Sequence, residues 1–368
     1  MKRFIIFITV LLIPLSAGAS VIKDEYLNLG INDEFQVSSN VFPDFDPAKT
    51  VEDLSLGKGF DTKNIINSLV SFFFREFISM VKICVMLLGV GFLSGILNTL
   101  GSSFSSKGTV SAGKIAVYAV YASLAAASFI KITQSANQSI ETLCLMIKTS
   151  LPVLVSMTAL TGGTATAGLM NPVLLSLITA IEEVLSKAVF PLILSSVALS
   201  IANNMSDRIN LKISVGLLRK TAKWIMVFCM GIYSGFFGIY GIAGSGIDKT
   251  VGKAAKFAIG TSVPVVGGVV AESVETVLTT LSAVKNITGV ISIIVIVIIL
   301  ITPAIKTAAA MWCFKLFSAL LEPVADKSAV RLTFDISEAI SLVFAVLMCV
   351  MLLFSGSIGI LLISGNIL

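Results

Sequence analysis

The chain has 368 residues, of which 56% are hydrophobic and only 13% are charged, and its mean hydropathy is +0.98. A soluble domain is typically about 45–50% apolar and about 25% charged, so the composition excludes an ordinary water-soluble protein and predicts an integral membrane protein. The net charge is +5 and the sequence contains no histidine. This excludes histidine metal sites, nucleophiles that depend on histidine, and imidazole proton relays, and we therefore predict a non-enzymatic protein.

The N-terminus has the three parts of a secretory signal. Two basic residues follow the first methionine, residues 4–15 are apolar, and Ala17 and Ala19 form a small-residue cleavage motif. We predict a signal peptide over residues 1–19, with Ser20 as the new N-terminus. The alternative is an uncleaved membrane anchor, for which the apolar run is short. In both cases the next segment lies outside the cytoplasm.

Residues 20–66 form an acidic segment, with four lysines against nine aspartates and glutamates. Prolines and glycines interrupt it, so we expect an extracytoplasmic tail that is largely irregular. The remaining residues, 67–368, carry an excess of bases distributed between apolar runs. That pattern is typical of cytoplasmic loops and not of a nucleic-acid surface, so we expect a lipid bilayer around this region and no nucleic-acid partner.

The first predicted spans are residues 78–100 and 112–130, joined by a short basic loop. Gly91 and Gly95 are four residues apart in the first span and predict a face for close helix packing. Residues 131–150 are too polar for lipid and have an amphipathic helical pattern.

From Leu151 onward, prolines and glycines interrupt the apolar runs. Leu151-Pro152, Asn171-Pro172 and Phe190-Pro191 each begin a new run, which predicts broken membrane segments. Residues 205–223 contain five bases and a single acid, so this loop is expected in the cytoplasm.

Four further apolar segments follow, at residues 224–246, 287–302, 308–321 and 339–363, with a polar loop expected at 323–337. Gly231 and Gly235 give the segment 224–246 a second candidate packing face. The fold class that we predict is therefore all-α, a polytopic transmembrane helix bundle with proline- and glycine-broken segments.

An internal repeat is also predicted. The sequence Thr-Ser-Leu-Pro-Val at 149–153 recurs as Thr-Ser-Val-Pro-Val at 261–265, and Pro191 and Pro303 are separated by the same interval. The two copies are expected at 149–246 and 261–363 within a membrane domain of residues 67–368. Chance similarity between apolar sequences is the alternative. Paired broken segments in matching halves are typical of transporter-like folds with a central site.

Charged residues embedded in apolar sequence are the candidate functional residues. Two carboxylates and a lysine near the middle of residues 173–190 cost about 2.5–3.5 kcal/mol each, which exceeds the gain of about 3–6 kcal/mol from the apolar residues around them. This segment therefore packs inside a bundle or lies at the interface. The embedded residues are Glu182, Glu183 and Lys187, with Glu272 and Glu275 in the second copy.

Two alternatives follow for these residues. Glu183 and Lys187 are four apart and are expected to pair, while Glu182 is left over. Glu272 and Glu275 are three apart and share one helix face. In the functional alternative, Glu182, Glu272 and Glu275 line a polar transport path; in the other, the carboxylates lie among lipid headgroups.

Other motifs predict no chemistry. The five cysteines are odd in number and absent from the exported tail, so we expect buried apolar thiols and no disulfide framework. Glycines 108 and 113 with Lys114 resemble a phosphate-binding loop, but Ile115 replaces the magnesium ligand and no strand precedes the glycines. We therefore predict no cofactor, metal or nucleotide site.

The residues resemble those of the stage III sporulation protein AE family over essentially the whole chain. The resemblance lies in the signal, the acidic tail, the Leu151-Pro152 and Gly162-Gly163 breaks, the Pro-Val-Val-Gly-Gly stretch at 264–268 and the glycine-rich last span. It implies a multi-pass subunit in the mother-cell membrane around the forespore, with its N-terminal tail extracytoplasmic. The partners implied are other membrane subunits of the same complex and, through them, a forespore membrane partner.

The resemblance and the pattern together predict a subunit that forms or lines a transport conduit. Two alternatives remain: a non-conducting scaffold for the complex, and an autonomous ion-coupled transporter.

Overall fold

The computed structural model describes residues 62–101, 107–160, 164–205, 210–262, 267–323 and 325–363, and no strand occurs within these segments. Some residues have a described backbone but no described side chain. The longest stretches of this kind are 239–262 and 267–281. The predicted signal segment and the acidic tail up to residue 61 also lie outside it.

The described chain is almost entirely helical. The helices are α1 (Thr62–Gly101), α2 (Lys107–Leu160), α3 (Thr164–Val184), α4 (Phe190–Met205), α5 (Lys212–Ser262), α6 (Gly267–Leu321) and α7 (Lys327–Ile363), and a π-helical turn, Leu185–Val189, joins α3 to α4. Five stretches of the described residues are long and apolar enough to cross a membrane: Asn67–Ile96, Gly113–Leu145, Pro172–Met205, Ile299–Leu321 and Lys327–Gly359. The predicted fold class is confirmed.

Three of the helices are much longer than a membrane span. Helices α2, α5 and α6 have 54, 51 and 55 residues. At about 1.5 Å per residue, each is about 77–83 Å long, whereas the hydrocarbon core is about 30 Å thick. These helices therefore extend well beyond the apolar zone.

The expected breaks at Leu151-Pro152 and Asn171-Pro172 are not breaks, because α2 continues through Pro152 and α3 continues through Pro172. Helix α6 likewise continues through Pro303, between the predicted segments 287–302 and 308–321. A proline inside a helix removes one backbone hydrogen bond, and neighbouring hydroxyl groups can satisfy carbonyls near the kink. Ser156 Oγ and Thr307 Oγ1 donate to the carbonyls of the prolines themselves, at 2.8 and 2.6 Å, and not to the carbonyls that the prolines leave free, which are those of residues 148 and 299. Helix α2 ends instead at Leu160, just before Gly162-Gly163, and α5 ends at Ser262, just before Pro264.

Helix α7 occupies the centre of the bundle. It packs against α6, α2, α4 and α5, and 61% of its most apolar stretch is buried, against 22% in α1. The large side chains of Tyr121, Phe129, Phe314 and Phe354 are fully buried between these helices. The interior of the described part of one chain is therefore filled by side chains.

Three side-chain contacts between helices lie at one end of the bundle. Gly91 of α1 packs against Leu321, the last residue of α6. Tyr121 of α2 is hydrogen-bonded to Thr333, near the start of α7, and Asn204, at the end of α4, is hydrogen-bonded to Asp335. We call this the basic end, because Lys212, Arg219, Lys220, Lys223, Lys327 and Arg331 lie here.

Candidate functional site

An ion pair with three helices around it lies at the basic end. Arg219 of α5 contacts the carboxylate of Asp335 on α7, with Nη1 at 3.2 Å from Oδ1. Nη2 donates to the Asp335 backbone carbonyl at 2.9 Å and to Ser200 Oγ of α4 at 3.3 Å. Asn204 Nδ2 donates to the other carboxylate oxygen at 3.3 Å. We call these four residues the Arg219 cluster.

The Arg219 cluster is largely removed from water. The side chains of Arg219 and Asp335 are 15% and 24% exposed, and Arg219 Nε is buried without a hydrogen-bond partner in the described residues. A charge that has lost its hydration depends on charge-assisted hydrogen bonds in good geometry. The cluster therefore joins α4, α5 and α7 in a fixed arrangement.

Two tyrosines of α2 extend this arrangement. The hydroxyl group of Tyr118 donates to the Ile201 carbonyl of α4 at 2.9 Å. One helical turn later, Tyr121 is bonded to Thr333 of α7, whose hydroxyl also donates to the Ala329 carbonyl at 2.8 Å. Buried hydroxyl groups need such partners in an apolar interior, so α2 is held against α4 and α7.

A cavity of about 580 Å³ opens beside the Arg219 cluster. Its walls come from the end of α4, the start of α5, the end of α6 and the start of α7. Lys315 on one wall contacts Glu338 of α7, with Nζ at 3.3 Å from Oε1. Most of the residues that line the cavity are polar or charged by type, and the aliphatic parts of their side chains also contribute to its surface.

A second polar region lies where α3 packs against α2. Ser186 Oγ donates to Asn137 Oδ1 at 3.0 Å, and Cys144 Sγ lies 3.5 Å from Glu182 Oε2. We call these four residues the polar seam. Glu182 is therefore turned toward α2, and it is half-buried.

Glu183 and Lys187 point away from the bundle. They form an ion pair across one helical turn, and their side chains are 56% and 74% exposed. Glu182 and Glu183 thus lie on different sides of α3, one against a helix and one outside. A membrane-embedded ion pair in this position requires water, lipid headgroups or a polar surface of another subunit.

The helix changes form at Lys187. The backbone N–H of Phe190 donates to the Leu185 carbonyl, five residues back, within the π-helical turn. Pro191 follows immediately, and in a regular helix its ring would clash with the carbonyl of the residue four before it, which is Lys187. The wider turn relieves this clash, and such turns often occur at functional sites.

The two polar regions are separated by about one bilayer thickness. Glu182 and Asn204 are on the same continuous helical segment, and at about 1.5 Å per residue their separation is about 33 Å. The hydrocarbon core is about 30 Å thick. The residues between them are mainly apolar, so the polar seam and the Arg219 cluster are placed near opposite boundaries of the hydrocarbon.

The other predicted site residues lie in several places. Glu272 and Glu275 are in the first turns of α6, and their side chains lie outside the description, as do the predicted cleavage residues Ala17, Ala19 and Ser20. Gly91 is buried against Leu321, and Gly95 is half-buried.

Gly231 and Gly235 are exposed on α5, and a methyl group at either would meet nothing within 4 Å. Of the two predicted packing faces, the α1 face packs against other helices of the same chain at Gly91. The α5 face is uncovered in the described chain.

Sequence reasoning missed the Arg219 cluster. It used Arg219 only as a marker of a basic loop and assigned Asp335 to a polar loop. The available signal was the spacing of Arg331, Asp335 and Glu338, which lie three or four residues apart as on one side of a helix. Their partners on α5 and α6 are distant in sequence and were not predictable.

Two cysteines meet inside the bundle, with Cys84 Sγ of α1 at 3.2 Å from Cys313 Sγ of α6. Both are fully buried free thiols. Among the described residues, no three histidine, cysteine, aspartate or glutamate side chains converge in a group that could hold a metal ion.

Comparison with known proteins gives a single consistent result. The family model described as Stage III sporulation protein AE matches residues 45–365. The Stage III sporulation protein AE of Bacillus subtilis strain 168 is 26% identical over 336 residues, which cover 91% of this chain and 84% of that protein. No solved structure matches the chain. Since the family match extends over most of the sequence, the chain belongs to the stage III sporulation protein AE family.

Proposed function

We propose that this protein is a membrane subunit of the channel or secretion complex that connects the mother cell to the forespore, and that it lines part of the conduit. Membership in a stage III sporulation family and the multi-pass helical fold support this proposal. Its partners are other membrane subunits of the complex and, through them, a forespore membrane protein.

The observation that carries the conduit role is the outward position of Glu183 and Lys187. The interior of the described part of the chain is filled by side chains, and within this proposal the path for solute runs between subunits. The exposed ion pair lies beside Glu182, near a boundary of the hydrocarbon, and in this proposal it faces a hydrated surface between subunits and not lipid headgroups. Copies or partners arranged around α3 give this pair a hydrated surface.

Orientation follows from the charge distribution. Bases are concentrated at the basic end, and cytoplasmic loops carry an excess of Lys and Arg. We place the basic end in the mother-cell cytoplasm and the acidic N-terminal tail outside it, in the multi-pass mother-cell membrane. The long extensions of α2, α5 and α6 then project toward the forespore side.

A scaffold role is the second candidate, and the uncovered Gly231 and Gly235 face favours it. Small residues on an exposed helix face allow close approach of another helix in lipid. A scaffold needs this face, whereas a conduit needs the charges of α3 as well.

The test replaces the ion pair with uncharged side chains of similar length. In E183Q/K187Q, the conduit proposal predicts normal co-purification with the other membrane subunits and a yield of heat-resistant spores reduced at least about tenfold, because a hydrated path has lost both charges. The control is K220Q/K223Q, which removes two exposed charges at the basic end that do not line the cavity there. Normal assembly with normal spore yield in E183Q/K187Q contradicts a conduit role for these charges, and loss of assembly favours the scaffold.

A further inference from the structure

The cavity at the basic end has an excess of positive charge. Lys212, Lys315 and Arg331 lie on its walls together with Glu322 and Asp335. Lys315 forms an ion pair with Glu338, and Asp335 forms one with Arg219. Neither partner lines the cavity. Lys212, Arg331 and Glu322 remain, which leaves one net positive charge facing the cavity.

Lys212 and Arg331 are available to a ligand. Both side chains are exposed, and neither forms an ion pair or side-chain hydrogen bond within the described part of the chain. They come from different helices, α5 and α7, and both line the same cavity. Asp207 and Arg208, which precede α5, lie outside the description.

Neutral hydrogen-bonding groups complete the polar lining. Asn203 Oδ1 accepts from the Leu211 backbone N–H at 2.7 Å, so its carbonyl side is occupied and its NH₂ group is directed elsewhere. Asn204 and Ser318 lie on the walls as well. A cavity of about 580 Å³ is in the range that holds a small polar group, about 300–1,000 Å³.

An apolar surface begins beside the cavity. Phe334 lines it and is 51% exposed. On α6, Trp312, Leu316 and Leu320 are exposed at four-residue intervals, next to the face that carries Lys315 and Ser318 into the cavity. A cavity with two cations that have no ionic partner among the described residues, next to an apolar row, matches a ligand with an anionic head and hydrocarbon chains.

We propose that this cavity binds the phosphate group of an anionic glycerophospholipid. The phosphate lies between Lys212 and Arg331, and the acyl chains lie along the row formed by Trp312, Leu316 and Leu320. Basic pockets between helix ends are a recognised setting for anionic lipid headgroups. The single negative charge of a phosphatidylglycerol phosphate balances the net charge of the cavity. This proposal does not depend on the conduit role.

The experiment measures lipid retained by the full-length protein. The purified protein is equilibrated with mixed micelles of phosphatidylglycerol and phosphatidylcholine, washed, and its bound lipids are counted by mass spectrometry. We expect selective retention of phosphatidylglycerol by the unmodified chain. In K212Q/R331Q this retention falls at least about fivefold, because both cations facing the phosphate are removed.

The matched control is K220Q/K223Q, which removes two exposed cations of the basic end that do not line the cavity. We expect retention within about twofold of the unmodified chain, since distant exposed charges act only through a screened field. E322Q removes the unpaired acid of the cavity and is expected to raise retention, which a misfolded protein does not do.

Three results overturn the proposal. An equal loss in K212Q/R331Q and K220Q/K223Q indicates diffuse attraction of lipid to the basic end. Displacement of phosphatidylglycerol by millimolar inorganic phosphate indicates a site for a soluble anion. Unchanged retention in K212Q/R331Q indicates that the lipid binds elsewhere.

Discussion

The guanidinium group of Arg219 joins α5 to α7 by contacting both the carboxylate and the backbone carbonyl of Asp335, at 3.2 and 2.9 Å. Removing one member leaves the other charge partly buried without its partner. For fully buried pairs this costs about 3–5 kcal/mol, and the exposure of this pair reduces the expected cost to about 2–3 kcal/mol. We expect R219Q and D335N each to lower the thermal unfolding midpoint in detergent.

The double variant R219Q/D335N distinguishes the ion pair from general damage. It removes both charges together and leaves no unpaired charge. Its loss of stability is therefore expected to be smaller than the sum of the losses in the two single variants. K315Q is the control, because Lys315 and Glu338 are 38% and 32% exposed and an exposed pair contributes about 0–1 kcal/mol. Additive losses in the double variant, or an equal loss in K315Q, contradict this role of Arg219.

The contact between Cys84 and Cys313 permits a direct test of how α1 packs on α6. Their sulfur atoms are 3.2 Å apart, and both are buried in the bundle. A membrane-permeant thiol oxidant is expected to link them within one chain, and peptide mass spectrometry after digestion detects the linked pair. The product should be absent in C84S and in C313S but present in C229S. Linkage of Cys84 mainly to another cysteine is the opposing result.

The sequence was sufficient for the class of fold and the approximate location of the membrane helices, because long apolar runs separated by basic loops have few alternatives. It was not sufficient at Pro152 and Pro303, where α2 and α6 continue through the proline. It also misplaced the start of α7. The polarity of Arg331 and Asp335 indicated a loop, whereas the structure has them in a helix because Asp335 pairs with Arg219.

The candidate site was predictable only in its local part. The pairing of Glu183 with Lys187 depends on four-residue spacing, which the sequence displays directly. The direction of Glu182 toward Cys144 depends on how α3 lies against α2, and the cavity depends on four helix ends that are distant in sequence. No local pattern encodes such contacts, so these parts required the structure.

Gly91 is the position where α1 comes closest to the end of α6. A methyl group there would lie 2.9 Å from Leu321 Cδ2, and Ala325 and Tyr121 are also in contact distance. Gly91→Leu is therefore expected to destabilise the protein by about 1–3 kcal/mol through overpacking. Gly89→Leu is a matched control two residues away, because Gly89 is exposed and meets nothing within 4 Å. Unfolding midpoints in detergent compare the two, and equal midpoints contradict the packing.

The face of α5 that contains Gly231 and Gly235 is expected to be a contact for another subunit. Neither position meets an atom within 4 Å, so leucine at both should leave the unfolding midpoint of the isolated chain unchanged or slightly raised, since glycine weakens a helix by about 0.5–1 kcal/mol. In the complete complex the same change prevents close approach of a partner helix. We therefore expect G231L/G235L to reduce co-purification with the other membrane subunits severalfold.

Gly216→Leu is the control for that experiment, because Gly216 is on the same helix, has nothing within 4 Å and lies nearer the basic end. It should leave both stability and co-purification unchanged. If G231L/G235L lowers the unfolding midpoint of the isolated chain, the face is covered within the protein itself. If both variants co-purify normally, the close-packed contact with another subunit lies elsewhere on the bundle, and the scaffold candidate loses the observation that favours it.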